Sequence, residues 1–310
     1  MKKIKVLLAS PRGFCAGVKR AIDIVELALE KSKEPIYVRH EIVHNKRVVN
    51  DLKKKGVIFV KELEEVPKNS KVIFSAHGVS KKVKRDAKLY NQATIDATCP
   101  LVSKVHQQIK LYDKRGYRVL LIGHKGHPEV DGIEGQISQD IIIIENEKQA
   151  ESLKINKNQK VAYVTQTTLS LNDTSNIIKT LKRKIPEIVG PDLDDICYAT
   201  QNRQVAVSKL ADLSDMVLVV GGENSSNTNR LAEIVKKKSV PVYRISGKDD
   251  IKKEWLIGIK TLGITSGASS PEVIINEILE LLKNTYNNVS VENLKGIKEN
   301  IKFKPITQFS

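Results

Sequence analysis

The sequence predicts an α/β protein made of three similar α/β units. Two observations support this class. Short apolar runs typical of strands alternate with amphipathic helical patterns, and the same order of elements recurs three times along the chain. The predicted units cover residues 1–96, 97–194 and 195–284, followed by a C-terminal extension at 285–310. If the units pack around a pseudo-threefold axis, the carboxyl ends of their parallel strands, where ligands bind in such sheets, converge on one central cavity.

The first predicted strand is the apolar stretch from Ile4 to Ala9, which a Pro-Arg-Gly turn ends. Basic residues precede it, but about six apolar residues are too few for the apolar region of a signal peptide. Other apolar runs, such as those at 119–123 and 216–222, are also too short to cross a bilayer. We therefore expect a cytoplasmic protein with no membrane association.

One cysteine belongs to each unit: Cys15, Cys99 and Cys197. An odd number excludes a complete set of intramolecular disulfides. The absence of any CxxC pair argues against a zinc ribbon, a thioredoxin motif and a ferredoxin-type cluster run. A lone cysteine is most often a small buried hydrophobe. Here, however, each cysteine directly precedes an amphipathic helical pattern, and the positive end of a helix dipole favours the thiolate that a metal requires.

Each of these helices is followed by a strand and then by a polar loop. The strands are predicted at 35–38, 117–123 and 216–222, and the loops at 40–45, 124–129 and 223–229. His44 follows Cys15 by 29 residues, His127 follows Cys99 by 28, and Ser225 follows Cys197 by 28. A further strand in each unit ends in a second polar loop, within 72–80, 161–170 and 262–272. Spacings that recur to within one residue indicate an internal triplication.

These loops supply the candidate anion-binding residues. They are His44, His77, His127, Thr167, Ser225, Ser226, Asn227 and Ser269. Backbone N–H groups and small polar side chains at helix starts suit phosphate oxygens, so together they predict a cradle for a phosphorylated ligand. Any one Ser, Thr or Asn could instead be a helix N-cap, and any one His a surface or core residue. The pairs His40/His44 and His124/His127 also have spacings that would suit a metal.

Glu129 is the one carboxylate inside these loops that lies next to a candidate binding histidine. A sheltered carboxyl group can have a raised pKa and serve as a proton donor. The alternative is an acid at a helix N-terminus that stabilises the dipole.

Three thiolates leave one position of a four-iron cluster without a protein ligand. An open metal position can bind a substrate oxygen, whereas an electron-transfer cluster usually has four protein ligands. Three cysteines together with a phosphate cradle therefore point to chemistry on a phosphorylated substrate.

The formal net charge of +16, from 52 Lys and Arg against 36 Asp and Glu, would suit an anionic partner. The basic residues are scattered singly and in short runs, however, which is typical of solvated faces. Aromatic residues make up only 5% and do not alternate with the basic ones, which argues against a single-strand nucleic-acid binder. We expect a small-molecule substrate and no nucleic acid.

The chain resembles the 4-hydroxy-3-methylbut-2-enyl diphosphate reductases (LytB type) from about residue 5 to residue 303. The resemblance rests on PRGFCAGVKRAI, YVRHEIVHN, FSAHGVS, DATCPLV, IGHKGHPEVDG, VTQTTLS, DDICYATQNRQ, NSSNTNRLAE and SGASSPE. The C-terminal ENIKFKP (299–305) is also similar, although the resemblance does not indicate its role.

This resemblance implies a cloverleaf of three α/β units around a central [4Fe–4S] cluster with one open iron. Cys15, Cys99 and Cys197 would be the cluster ligands and Glu129 the proton source. The eight loop residues named above would contact the substrate, mostly its diphosphate. An external ferredoxin or flavodoxin would deliver two electrons, and loss of the substrate's hydroxyl group would yield isopentenyl and dimethylallyl diphosphate. This is the last step of the methylerythritol phosphate pathway.

Three alternatives stay open at the level of the sequence. An iron–sulfur hydro-lyase would use the open iron as a Lewis acid and need no external reductant. A non-enzymatic iron–sulfur sensor would not need the phosphate cradle, and a nucleic-acid binder should show salt-dependent binding. A zinc protein with three Cys and one His would be colourless.

Overall fold

A computed structural model describes residues 3–90, 92–156, 158–191, 193 and 195–306. Its strands are β1 (Lys3–Leu8), β2 (Ile36–Arg39), β3 (Ile58–Val60), β4 (Lys71–Phe74), β5 (Ala93–Asp96), β6 (Arg118–Ile122), β7 (Ile142–Ile144), β8 (Val161–Thr165), β9 (Met216–Val220), β10 (Val242–Ile245), β11 (Thr261–Ser266) and β12 (Asn288–Asn293). Its α-helices are α1 (Ala16–Lys31), α2 (Lys46–Lys54), α3 (Lys81–Leu89), α4 (Pro100–Lys114), α5 (Pro128–Glu134), α6 (Glu147–Ser152), α7 (Leu171–Lys184), α8 (Tyr198–Asp212), α9 (Ser226–Lys237) and α10 (Glu272–Thr285). Three 3-10 helices lie at Leu63–Glu65, Lys248–Asp250 and Lys253–Leu256.

The strands form three sheets, in the orders β10-β9-β11-β1-β12, β3-β2-β4-β5 and β7-β6-β8. Every pairing within them is parallel. Central strands such as β8 (VAYVT) and β9 (MVLVV) are buried along their whole length, as expected when helices cover both faces of a parallel sheet. The α/β class and the parallel sheets predicted from the alternation of elements are confirmed.

Residue contacts divide the chain into two compact units. The first unit comprises the chain up to Ala16, His44–Val48 and Tyr198–Ile301, and it contains the five-stranded sheet. Buried residues of β1, β9 and β11 pack against Ile274, Ile275 and Ile278 of α10 on one face. On the other face, Ala206 to Ala211 of α8 and Leu231 and Val235 of α9 complete a second apolar cluster.

This first sheet brings together strands that are far apart in sequence. β1 lies between β11 and β12, although β1 belongs to the first predicted unit and β12 to the predicted C-terminal extension. Strand β1 has Lys3 and Lys5 exposed on one face but is buried from Val6 to Leu8, and a buried strand must satisfy its backbone hydrogen bonds through neighbouring strands. The division of the sequence at residues 96 and 194 into three repeats stays a prediction.

The second unit comprises Gly17–Val43, Val49–Cys197 and the chain from Lys302 on, and it contains the four-stranded and three-stranded sheets. Apolar side chains of β6 and β8 pack against Val105 and Ile109 of α4 and against Val130 and Ile133 of α5. On the other face of these strands, α7 contributes Ile177, Ile178 and Leu181 to a separate cluster. This packing fixes the amino-terminal ends of α4 and α5, which directly follow the predicted site residues Cys99 and His127.

A structural repeat is visible in the segments that lead to the cysteines. Strand β5 precedes Cys99 and pairs with β4, and strand β1 precedes Cys15 and pairs with β11. Before Cys197, Val189 forms a parallel bridge to Ala162 of β8. Each cysteine therefore follows a segment that runs parallel to a strand ending in a polar loop. Among the described residues, no helix is long and apolar enough to cross a membrane.

Candidate active site

Each cysteine lies directly before an α-helix: Cys15 before α1, Cys99 as the N-cap of α4, and Cys197 before α8. Each backbone amide donates a hydrogen bond to a polar loop at the end of a neighbouring strand. Cys99 N donates to Ala76 O (3.0 Å), Cys197 N to Thr167 O (3.0 Å), and Cys15 N to Ala268 O (3.2 Å). The same local anchor thus recurs at all three positions.

The donor chemistry of these positions fits an iron–sulfur cluster. All three side chains are thiols outside any disulfide, and all three are half-buried, so that they are sheltered yet reachable by a ligand. A helix N-terminus stabilises the thiolate form that binds iron. Within the ranges that the structure describes, no three His, Cys, Asp or Glu side chains group as ligands of a single metal ion.

Glu129 is buried beside the second polar loop of the three-stranded sheet. Its side chain belongs to the first turn of α5, and the residue is only 2% exposed. The Thr167 amide donates to Glu129 Oε1 (2.6 Å), and the Thr167 hydroxyl donates to Oε2 (3.0 Å). Since the carbonyl of Thr167 accepts from the Cys197 amide, one residue holds both the carboxyl group and the start of a cysteine helix.

The pKa of Glu129 is raised from 4.5 to about 7, chiefly by burial and to a smaller extent by the nearby Asp195. The two hydrogen bonds from Thr167 oppose this rise, because they favour the charged form. A carboxyl group in this state is protonated in about half of the molecules near neutral pH. It can therefore donate a proton at a pH where an ordinary glutamate cannot.

The three predicted histidines share one mode of orientation, in which Nδ1 faces a partner from a nearby loop. His127 Nδ1 accepts from the Glu129 amide (3.1 Å), and His44 Nδ1 contacts the side-chain amide of Asn224 (3.1 Å). His77 Nδ1 contacts the Ser75 hydroxyl (3.3 Å). When Nδ1 accepts a hydrogen bond, the proton of a neutral imidazole is on Nε2, which makes that atom a donor. In the second unit, the rings of His77 and His127 meet edge to face with centroids 5.9 Å apart.

In the first unit, the predicted Ser and Asn residues hold their own loops together. Ser225 is the N-cap of α9 and accepts from Thr228 N (3.3 Å). Asn227 Oδ1 accepts from Ala268 N (3.1 Å), and the Ser269 hydroxyl donates to His44 O (3.0 Å). Ser226 is the first residue of α9 and is buried with them. The N-cap role considered for such residues is therefore confirmed for Ser225, whose O–H can still donate to an anion.

The structure divides the twelve predicted site residues between the two units. The first unit contains Cys15, His44, Ser225, Ser226, Asn227 and Ser269, and the second contains Cys99, Cys197, Glu129, His77, His127 and Thr167. Sequence reasoning missed the residues that orient them, chiefly Asn224, Ser75 and Asp195. Each lies one or two residues from a predicted site residue, but nothing in its type distinguishes it from other polar loop residues.

Comparison with known proteins identifies relatives along almost the whole chain. A family model described as LytB protein matches residues 6–283. The chain is 52% identical over 304 residues to the 4-hydroxy-3-methylbut-2-enyl diphosphate reductase of Mannheimia succiniciproducens, covering 97% of this chain and 96% of that protein. It is 49% identical over 308 residues to the reductase of the same name from Nitrosomonas europaea, covering 97% and 95%.

Solved structures of similar proteins have the same fold. The E-1-hydroxy-2-methyl-but-2-enyl-4-diphosphate reductase from Plasmodium falciparum superposes with a TM-score of 0.92 at 40% identity, over 97% of this chain and 94% of that one. A second structure is that of (E)-4-hydroxy-3-methyl-but-2-enyl diphosphate reductase, described as the terminal enzyme of the non-mevalonate pathway. It has a TM-score of 0.65 at 34% identity, over 91% of this chain and 99% of that one.

Proposed function

Because the chain belongs to the LytB family, we infer that it is a reductase that removes the hydroxyl group of 4-hydroxy-3-methylbut-2-enyl diphosphate. This is the terminal reaction of the non-mevalonate route to isoprenoids. The observation that carries the chemistry is the buried Glu129, whose pKa of about 7 suits a proton donor. Thr167 joins this carboxyl group to the amide of Cys197, so the proton donor is built onto a candidate ligand loop.

We propose that Cys15, Cys99 and Cys197 hold one [4Fe–4S] cluster with one open iron, around which the three sheets are arranged as a cloverleaf. The support is that each thiol precedes a helix and that each cysteine amide has the same kind of backbone anchor. When bound, such a cluster supplies electrons and a Lewis-acidic iron. An external donor of ferredoxin or flavodoxin type would provide the two electrons that the reaction consumes.

Glu129 would donate the proton with which the hydroxyl group leaves as water. Replacement of the C–O bond by a C–H bond consumes two electrons and two protons, one for the departing oxygen and one for carbon. Burial keeps a large fraction of Glu129 protonated at neutral pH, and Thr167 fixes the direction of both carboxyl oxygens. Protonation at either end of the allylic carbon frame would give isopentenyl or dimethylallyl diphosphate.

The diphosphate would be bound by N–H and O–H donors and not mainly by cationic side chains. His44, His77 and His127 each direct Nδ1 to a loop partner, so that Nε2 can donate to phosphate oxygens. In the first unit, Ser225, Ser226, Asn227 and Ser269 lie on the α9 turn and the loop that follows β11. The hydroxyl groups of Thr167 and Ser269, which donate to Glu129 Oε2 and His44 O, would turn to the diphosphate when it binds. Small donors near a helix start are a common phosphate site.

The test is an anaerobic assay with a reduced viologen dye and 4-hydroxy-3-methylbut-2-enyl diphosphate. We expect dye oxidation that depends on the substrate, together with isopentenyl and dimethylallyl diphosphate as products. Loss of water from the substrate without any reductant, to give a dehydrated product, would instead indicate a hydro-lyase. A brown, iron-containing protein that oxidises no dye would contradict the reductase assignment. A colourless, zinc-containing protein would contradict the cluster.

A further inference from the structure

The segment after β12 runs beside the turn that leads to Cys15. The Leu294 amide donates to Leu8 O (2.9 Å), which continues the pairing of β12 with β1. Two residues later, Gly296 lies so close to Ser10 that an added Cβ atom would be 1.7 Å from the Ser10 carbonyl oxygen. Only glycine allows this approach, so the chain is held against the turn before Cys15.

Glu299 then meets a fully buried arginine of α8. The Arg203 side chain is 0% exposed, and it donates from Nη1 to Glu299 Oε1 (3.0 Å). The same guanidinium donates from Nη2 and Nε to Gly13 O (2.7 and 3.1 Å), two residues before Cys15. Asn202 adds a bond to Glu299 Oε1 (3.1 Å). Glu299 is the ion-pair partner of this buried guanidinium, and removing one partner of a buried ion pair is strongly destabilising, so Glu299 stabilises the charge that holds the Gly13 carbonyl.

In the second unit, a second buried arginine makes an equivalent set of bonds. Arg20 of α1 is 6% exposed, and its Nε donates to Lys304 O (3.0 Å). Its Nη1 donates to Thr98 O (3.1 Å), one residue before Cys99, and to Ala97 O (3.4 Å). In each unit, therefore, one planar guanidinium bonds both to the end of the chain and to the carbonyl groups just before a cysteine.

We propose that residues 294–304, here called the C-terminal strap, position the loops before Cys15 and Cys99 through Arg203 and Arg20. The strap fixes the two guanidinium groups, which in turn fix the backbone at the starts of α1 and α4. Arg203 and Arg20 are positioning residues, and the significance of the strap for a cluster rests on the proposed ligand role of the cysteines.

The test compares how fast iodoacetamide labels each cysteine in the anaerobic, cluster-loaded, full-length protein, with peptides quantified by mass spectrometry. Glu299→Gln keeps the shape of the side chain and removes its charge. We expect labelling of Cys15 to accelerate by about tenfold or more relative to Cys197 in the same sample, because the local opening of its loop becomes easier. Glu292→Gln is the matched control, since Glu292 forms a half-exposed ion pair with Lys5 in the same unit. It should leave all three rates unchanged.

Two milder variants keep the proposal testable if Glu299→Gln folds poorly. Asn202→Ala removes one bond to Glu299 without leaving a charge unpaired, and it should accelerate Cys15 labelling by a smaller factor. Arg20→Lys keeps the charge but loses the planar fork, and it should accelerate labelling of Cys99 selectively.

An equal rise at all three cysteines, or no rise at the predicted one, would overturn the positioning role. Rapid labelling of all three in the unmodified protein would instead contradict the cluster assignment. The strap would then still be judged by the ratio of variant to unmodified rate at Cys15.

Discussion

Exchanging Glu129 for glutamine should make the protein more stable at alkaline pH while impairing its chemistry. The amide is nearly the same size as the carboxyl group, and its oxygen can still accept from the Thr167 amide. Its NH₂ group can donate to the Thr167 hydroxyl in place of the present bond. What the variant removes is the free-energy cost of ionising a carboxyl group that is only 2% exposed.

The size of this free-energy cost follows from the pKa of Glu129, which is 4.5 for the exposed side chain of the unfolded state and about 7 in the folded protein. Below pH 4.5 the group is protonated in both states and does not change the free energy of unfolding. Between pH 4.5 and pH 7 the unfolded state is ionised while the folded state still holds its proton, so the folded state becomes steadily less stable. At about 1.36 kcal/mol per pH unit, the loss reaches roughly 3 kcal/mol above pH 7. Glu129→Gln should avoid this loss.

The assay is the apparent thermal midpoint of unfolding of both proteins, measured anaerobically by circular dichroism from pH 5 to pH 8. The variant should have the higher midpoint throughout, by about 5 °C or more at pH 8 and by roughly a quarter of that difference at pH 5. Glu187→Gln, an equivalent exchange at an exposed residue of the same unit, controls for the change of carboxyl to amide. A difference that is constant with pH, or a variant that is less stable at pH 8, would refute the reasoning.

Four further outcomes follow from the site. Turnover of the unmodified enzyme should fall as the pH rises above about 7, because Glu129 loses its proton there; a kcat–pH profile that stays flat to pH 9 would exclude it as the acid. Cys99→Ser should lose most of its iron and visible absorption, and full iron content would remove Cys99 from the ligand set. Burial lowers the pKa of His106 from 6.5 to about 4, so the contribution of His106 to the free energy of unfolding should decline by up to roughly 3 kcal/mol as the pH falls from 6.5 to 4, opposite to that of Glu129. His106→Leu should remove this contribution, so the variant should gain stability relative to the unmodified protein as the pH falls; a difference that is constant with pH in denaturant titrations would contradict this. Gly78 has φ of +83°, and a Cβ atom added to it would lie 2.6 Å from His106 Cε1. Gly78→Ala should therefore lower the free energy of unfolding by about 1–3 kcal/mol, and it should raise KM because Gly78 directly follows the substrate-binding candidate His77. An unchanged KM would show that the His77 loop does not depend on this packing.

The local elements of the fold were predictable because their signals are local. The apolar run at 216–222 corresponds to β9 (Met216–Val220), and the helical pattern after Cys99 corresponds to α4 (Pro100–Lys114). The cysteine-to-loop spacing predicted which loops would be equivalent. Both depend on residues close together in sequence, where the periodicity of a strand or helix is directly visible.

The pairing of β1 with β11 and β12 was not predictable in this way. More than 250 residues separate β1 from either partner, and no pattern in KIKVLL specifies which strands lie beside it. Contacts at such separation depend on the packing of the whole sheet. The sequence therefore indicates that β1 is a buried strand, but it does not indicate that the chain end returns to accompany it.

For the site, the residues that would bind or react were predictable, but the contacts that orient them were not. The position of Glu129 in a polar loop indicated a sheltered acid, but not that the amide and hydroxyl groups of Thr167 would hydrogen-bond to its two carboxyl oxygens. Arg203 is the opposite case. Arginine is mostly exposed in folded proteins, so a fully buried one on an amphipathic helix carries no signal in a single sequence.

The decisive measurement is the rate of substrate-dependent dye oxidation by the unmodified protein and by Glu129→Gln at equal iron content. We expect the unmodified protein to oxidise reduced viologen and to form five-carbon diphosphates. The variant should keep its iron and bind the substrate but turn over about a hundredfold or more slowly, as expected for loss of a general acid. A variant that turns over at the unmodified rate would contradict the central claim that the buried carboxyl group of Glu129 supplies the proton.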